Sequence, residues 1–206
     1  MTDRLQLIDS YLDAAEAVYQ AEGIDAVTVA RLTADLGIAA PALYRVFEGK
    51  DALLLNLYWR LLARGALELD LGGGPRALIV SLARYSRSMV IEHPDLAQRM
   101  FSVTDIHGSS TLAEELVAGA LIELGFTGDD LVQRFQMLEL LVVGGSQYDA
   151  ARARDGWRQG ARRYRQIAIP EIRQVAQDPD GLAQSADAAF LALVDLILDA
   201  PPQPAP

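Results

Sequence analysis

Lys50 is the only lysine among the 18 cationic side chains of this 206-residue sequence, which has no cysteine and two histidines, His93 and His107. That inventory limits the chemistry. Without cysteine there is no disulfide framework, thiolate metal site or thiol nucleophile. No nucleophile has a plausible base in the sequence, and neither a glycine-rich phosphate loop nor an HExxH run occurs, so an enzyme is not expected. His93 and His107, with Glu92, Asp95 and Asp105 nearby, are the one conceivable metal set. A satisfied or solvent-exposed histidine is the ordinary reading, so no metal or cofactor is expected. Six arginines, Arg152, Arg154, Arg158, Arg162, Arg163 and Arg165, stand against Asp155 alone. They read as a solvated helix face, an anionic-ligand site or a pairing surface for acidic groups. The richest segment is 28–50, where two short helices flank Gly37-Ile38-Ala39. Helix, short glycine turn, helix sets two helices at a steep angle, so one can cross a phosphate backbone while the other enters a major groove.

The elements that must hold this segment are helical. Leu5, Ile8, Leu12, Ala15 and Tyr19 recur at helical spacing, and Gly23 is placed to end that helix. Thr28 is an N-cap for a helix over 29–36 with Gly37 as its stop. A third helix is predicted from about Ala40 to Val46, with Pro41 in its first turn, and a fourth from Asp51 to about Leu69. Leu32, Leu36, Ile38, Leu43 and Phe47 are the expected small core. Gly72-Gly73-Gly74 then Pro75 open a helix that should stop near His93, before Pro94. A short helix follows to about Val103. Thr111 to Glu114 is a capping-box pattern for a helix ending at Gly125, and Thr127 caps one running to about Ala151. The polar stretch 152–181 is a connection with one or two short helices. A last helix over 182–198 carries Ala186, Phe190, Leu193 and Ile197 on one face, and 201–206 is a disordered tail. No alternating strand pattern or repeat is found, so the fold class is all-α. No run of 18 consecutive apolar residues is present, and the first twelve residues do not form a signal-peptide core, so a cytoplasmic location without membrane partners is expected.

The run from Ala26 to Leu54 resembles the DNA-binding domain of the tetracycline-repressor (TetR) family. The matching parts are the threonine before the second helix, Leu36-Gly37-Ile38, the Leu43-Tyr44-Arg45 triplet, Phe47, and Lys50 followed by Ala-Leu-Leu. The resemblance covers about residues 5–60 and is looser beyond. It implies an N-terminal three-helix helix-turn-helix head over 1–50 and a C-terminal helical bundle over 51–200 for ligand binding and dimerisation. It implies that Thr28 and Lys50 contact phosphates and that Ala40, Pro41, Ala42, Tyr44 and Arg45 lie on the recognition face. Thr28 is a helix cap either way, and Tyr44 could instead be a packing residue. The family often has polar residues where Ala39, Ala40 and Ala42 stand here. Alanines cannot hydrogen-bond a base edge but can touch a thymine methyl, which leaves Arg45 as the candidate for direct readout, of guanine.

The resemblance further implies a small-molecule effector in the C-terminal helices and a homodimer on a palindromic duplex operator. Candidate pocket residues are Trp59, Leu62, Tyr85, Met89, Met100, Phe101, Ile106, His107 and Met137, each equally readable as core. The candidate interface is Leu131, Phe135, Leu138, Val142, Gly145, Phe190, Leu193 and Ile197, with Gly144 and Ser146 permitting close approach. His107 before Gly108 resembles a metal-coordinating position of the family. The formal charge of −10 argues against nucleic acid at face value, but its distribution differs. Residues 1–37 hold two arginines against seven acids, whereas 38–50 hold Arg45 and Lys50 against Glu48. The expected function is a ligand-responsive dimeric repressor; the competing reading is a helical ligand- or protein-binding regulator of the same fold that does not bind DNA specifically.

Overall fold

The computed structural model describes residues 2–66, 69, 72–102, 112–175 and 177–200, whose regular structure is all helix, with no strand among them. The order is α1 (Thr2–Glu22), a single 3-10 turn (Ile24–Ala26), α2 (Val29–Leu36), α3 (Pro41–Tyr44), α4 (Lys50–Ala66), α5 (Gly74–Glu92), α6 (Pro94–Ser102), α7 (Leu112–Glu123), α8 (Gly128–Leu140), a π-helical turn (Leu141–Gly145), α9 (Ser146–Ala153), α10 (Arg158–Arg165), α11 (Pro170–Val175) and α12 (Pro179–Asp199). Two compact units emerge, Met1–Leu67 with Asp95–Gly108, and Glu68–Pro94 with Ser109–Pro206.

In the first unit, α1 buries Tyr11, Leu12, Ala15 and Val18, while Leu5 is 57% exposed. The buried stripe is therefore turned from the expected one by about one residue. Leu32, Leu43 and Phe47 are buried as expected, while Leu36 and Ile38 are half-buried. Phe47 meets the Tyr11 ring edge-on at 6.3 Å, and Leu53, Leu54, Leu57 and Tyr58 add the inner face of α4. Removing one fully buried leucine such as Leu43 to alanine would cost about 2–5 kcal/mol.

In the second unit, Ile79 and Ala83 of α5, Ala120 and Leu121 of α7, Leu138 of α8, and Phe190, Val194 and Leu198 of α12 share one core with Phe126. Arg87 is buried in it. It donates to Asp149 Oδ2 from Nη2 at 2.9 Å and from Nε at 3.2 Å, and to Asp187 Oδ1 at 2.9 Å, so one guanidinium joins α5, α9 and α12. Arg134, also buried, donates to the carbonyls of Ile197 and Ala200 and pairs with Asp130. A cation set on the last carbonyls of α12 satisfies groups that the helix itself leaves open.

Two features differ from the sequence reading. The long helix opened at Thr127 is interrupted by the π-helical turn at Leu141–Gly145, and the helix beyond it buries Ser146, Asp149 and Ala150. The last helix begins one turn earlier, because the Asp178 carboxylate accepts from Asp180 N at 3.1 Å and Gly181 N at 3.2 Å. Its core face is Leu182, Phe190, Val194 and Leu198, while Leu193 is 47% exposed. By length and composition α12 is apolar enough to cross a membrane, yet this face is packed into the unit's own core. Val103, Thr111 and the 201–206 tail lie outside the described residues.

Candidate nucleic-acid interface

Thr28 caps α2 as expected: it has extended backbone angles and its Oγ1 accepts from Arg31 N at 3.2 Å. Gly37 ends the helix at φ 65° and ψ 26°. Its N–H donates to Ala34 O at 3.2 Å, and Ile38 N donates to Thr33 O at 3.0 Å. That pair of bonds is the Schellman arrangement, and only a residue tolerant of the left-handed region closes it without strain. The next turn forms at once. Ala42 N donates to Ala39 O, Leu43 N to Ala40 O, and Val46 N and Phe47 N to Leu43 O. The hydrogen-bonded turn thus runs from Ala39 to Phe47, with α3 proper at its centre.

This turn is anchored through Leu43 and Phe47, which leaves its other side open. Tyr44 is 60% exposed, and Ala39, Ala40, Pro41 and Arg45 are exposed. Ala42 is the correction to the recognition face, being 5% exposed and turned into the core beside Leu43. Lys50 begins α4, and its ammonium donates to Ile24 O at 3.4 Å. The bond ties the only lysine to the turn that leads into Thr28, with ammonium protons to spare. Two hydrogen-bonding groups suited to phosphate thus come from opposite ends of the motif.

The ion pairs sharpen the electrostatics. Arg31 is held by Glu22 at 2.9 Å and Asp35 at 2.8 Å, and the hydrogen bonds it donates to these carboxylates push its pKa up. Arg60 pairs with Asp13, Arg64 with Glu16 at 2.7 Å, and Arg99 with Asp51. Arg45 has no ion pair among the described residues. It does lie near Tyr11, whose hydroxyl is buried without a partner; burial raises that pKa and the Arg45 charge partly offsets the rise. The sequence reading did not separate Arg31 from Arg45, although the i,i+4 spacing of Arg31 and Asp35 was a signal for it.

A model of the bacterial regulatory proteins of the tetR family matches residues 12–57, which span this motif. The HTH-type transcriptional repressor DrrR1 of Streptomyces coeruleorubidus is 30% identical over 141 residues, 68% of this chain and 52% of that protein. The helix-turn-helix segment, residues 12–57, is of the tetR family. The chain spans about half the length of that relative. Solved TetR structures share the fold along nearly the whole chain. The regulator SCO7222 of Streptomyces coelicolor superposes with TM-score 0.71 at 19% identity, covering 92% of this chain and 94% of that one. ActR of the same organism, in complex with (S)-DNPA, gives 0.66 at 18% identity over 93% and 96%. TetR of Acinetobacter baumannii AYE gives 0.66 at 20% identity over 91% and 92%.

The expected effector residues are divided between the two units. Trp59 and Leu62 are half-buried and Met100 is buried in the first, with Trp59 edge-on to Tyr58. Tyr85 is half-buried, Met89 buried and Met137 48% exposed in the second. Ile106, His107 and the Phe101 side chain lie outside the described residues. A cleft of 290 Å³ within the second unit is lined by other residues, including Leu141, Tyr148, Arg152 and Phe190. The expected interface set is also revised. Leu138 and Phe190 are in the core, and Leu131, Phe135, Val142 and Ile197 pack against it. A side chain added at Gly145 would meet Leu141 of the same chain at 3.3 Å. Leu193 of the expected set is 47% exposed, and with it Val132, Met137 and Leu140 on α8 and Leu196 on α12 are the exposed large aliphatics of these two helices.

Proposed function

We propose that the chain is a dimeric DNA-binding transcriptional repressor released from its operator by a small molecule, with residues 1–50 as reader and 51–200 as the ligand-binding and dimerisation part. The observation that carries this is the Ala39–Phe47 turn, locked inward by Leu43 and Phe47 and open outward at Pro41, Tyr44 and Arg45. Arg45 reads a guanine edge in the major groove, with alanine and proline against thymine methyls. Thr28 and Lys50 hold phosphates on either side. Two such heads, about 34–36 Å apart, read two half-sites.

Dimerisation is supported by α12. The helix buries Leu182, Phe190, Val194 and Leu198 in its own chain, yet it also sets Leu193 and Leu196 on a face that the chain leaves open. Leu140 at 73% and Leu196 at 64% exposure are the largest uncovered aliphatics of α8 and α12. A second copy of the same stripe closes both. Effector release requires the ligand to bind the released state better, by about 1–3 kcal/mol.

Selection from random duplex DNA at moderate salt tests the reading. Enrichment of a two-fold repeat supports it. Recovery of no preferred sequence from folded, dimeric protein favours the alternative, a regulator of this fold without specific DNA binding, which the alanine-rich turn and the overall charge of −10 would suit.

A further inference from the structure

The cleft of the second unit has one cationic end. Arg152 lines it together with Leu141, Tyr148, Ala186, Phe190 and Leu193. Its guanidinium is enclosed by three rings, lying 4.6 Å from the centroid of Trp157, 5.1 Å from Tyr164 and 5.2 Å from Tyr148. Each feature of the backbone nearby serves that arrangement. Trp157 is the non-glycine residue with positive φ, 64°, among the described residues, a conformation that persists only where the surroundings fix it. Its N–H donates to Arg152 O at 3.0 Å, which holds the indole over the guanidinium. Gly160 leaves the space: a Cβ there would lie 3.2 Å from Arg152 Nε and 3.3 Å from Leu182.

The charge so carefully seated has no counter-charge in hydrogen-bond contact. Arg152 Nη2 is buried with no hydrogen-bond acceptor. Nη1 forms a loose ion pair with Asp149 Oδ1 at 3.7 Å, beyond hydrogen-bond reach, while the other oxygen of that carboxylate, Oδ2, is held by Arg87 at 2.9 Å. Arg158, Arg162, Arg163 and Arg165 on α10 add positive field with no acid on that helix. A guanidinium presents five donors in a planar fork suited to a carboxylate. Buried donors without acceptors are rare in native folds and point to a missing partner. Asp149 and Ser185 also line the cleft, the rest of its wall is aliphatic and aromatic, and 290 Å³ is at the small end for ligand pockets.

We propose that this cleft binds a small aromatic carboxylate of one or two fused rings, its carboxylate on Arg152 and its ring between α12 and the Leu141 side. The site gives the effector-responsive reading a place and a chemistry, and rests on that reading only for its effect on DNA. Because binding is measured without DNA, its failure leaves the operator reading standing.

The test uses 2-naphthoate as the probe on the full chain, read by calorimetry and by tryptophan fluorescence, with neutral 2-naphthamide as the comparison. Saturable binding is expected, at least tenfold tighter for the carboxylate, with at least a tenfold loss in Arg152→Met and a partial return in Arg152→Lys. Ala189→Glu keeps Arg152 in place and sets a carboxylate at an exposed lining position, so it decides the matter even if Arg152→Met does not fold. It should abolish naphthoate binding with the thermal transition retained. Equal affinity for acid and amide, unchanged binding in either variant, or no binding at millimolar probe overturns the proposal. So does binding seen only in a monomeric Leu196→Glu protein, which would assign the cleft to the second copy.

Discussion

Arg87 offers the most quantitative test of how the C-terminal bundle is held together. The guanidinium makes three hydrogen bonds to two carboxylates and lies 5.2 Å from the Phe190 ring. Asp149 is 7% exposed, whereas Asp187 is open to water on its side chain at 47%. Arg87→Met keeps the side-chain volume and removes the charge, so packing changes little and the loss is electrostatic. Asp187 rehydrates at small cost. Asp149 cannot, and is left with Arg152 at 3.7 Å. Breaking a buried pair from one side costs about 3–5 kcal/mol. At about 2–4 °C per kcal/mol for a chain of this size, Tm should fall by about 6–20 °C at fixed protein concentration. Removing the orphan as well, in Arg87→Met with Asp149→Leu, should recover more than half of that loss, because an apolar pair carries no desolvation cost. Urea unfolding followed by circular dichroism measures both. A single-variant cost below about 1 kcal/mol, or a double variant as unstable as the sum of the singles, would show that Arg87 is peripheral and the reasoning wrong.

The other predictions concern single groups. Hydrogen bonds from Arg76 hold the Asp199 carboxyl below the usual carboxylate range. A depressed folded pKa gives stability that is present above the ordinary carboxylate value and lost as pH falls through the folded value, so Arg76→Gln should lower stability at neutral pH and flatten its decline below about pH 4 in acid titrations. Tyr11→Phe removes a buried hydroxyl that has no partner, and should leave stability within about 0.5 kcal/mol or raise it in denaturant melts. Leu196→Glu should convert a dimer to a monomer in sedimentation while leaving the helical signal intact. With Arg45 and Lys50 as the two unneutralised cations of each head's reading surface, the slope of log affinity against log salt should be no steeper than about −4 per dimer, and Lys50→Met should reduce it by about 2.

Much of the head was legible because its signals are local. Thr28 as cap, Gly37 as left-handed stop and Pro41 in the first turn each follow from one residue's own conformational limits, and all stand where expected. The face of α3 was less legible. Four residues give barely one turn, so periodicity could not tell that Ala42 follows Leu43 inward while Tyr44 points out. In the bundle, element positions came from caps and glycines, but the buried stripe did not. Both faces of α8 and α12 carry aliphatics, so Leu138 and Leu140 look alike in sequence although one is 4% and the other 73% exposed. The π-helical turn at Leu141–Gly145 has no local signature beyond paired glycines. The cleft around Arg152 depends on a strained Trp157 and on Gly160, five and eight residues beyond the arginine they seat; only the clustering of arginines hinted at an anion there.

The central claim is that the exposed turn bearing Arg45 reads base sequence while Lys50 only holds the backbone. Measured affinities of wild type, Arg45→Ala and Lys50→Met for the selected duplex and for its single-base variants test it most directly. Arg45→Ala should cost about 1–3 kcal/mol per half-site and flatten discrimination at one guanine position, while Lys50→Met should weaken every duplex equally and leave the ranking intact. An Arg45→Ala protein with unchanged affinity and unchanged base preference would contradict the account.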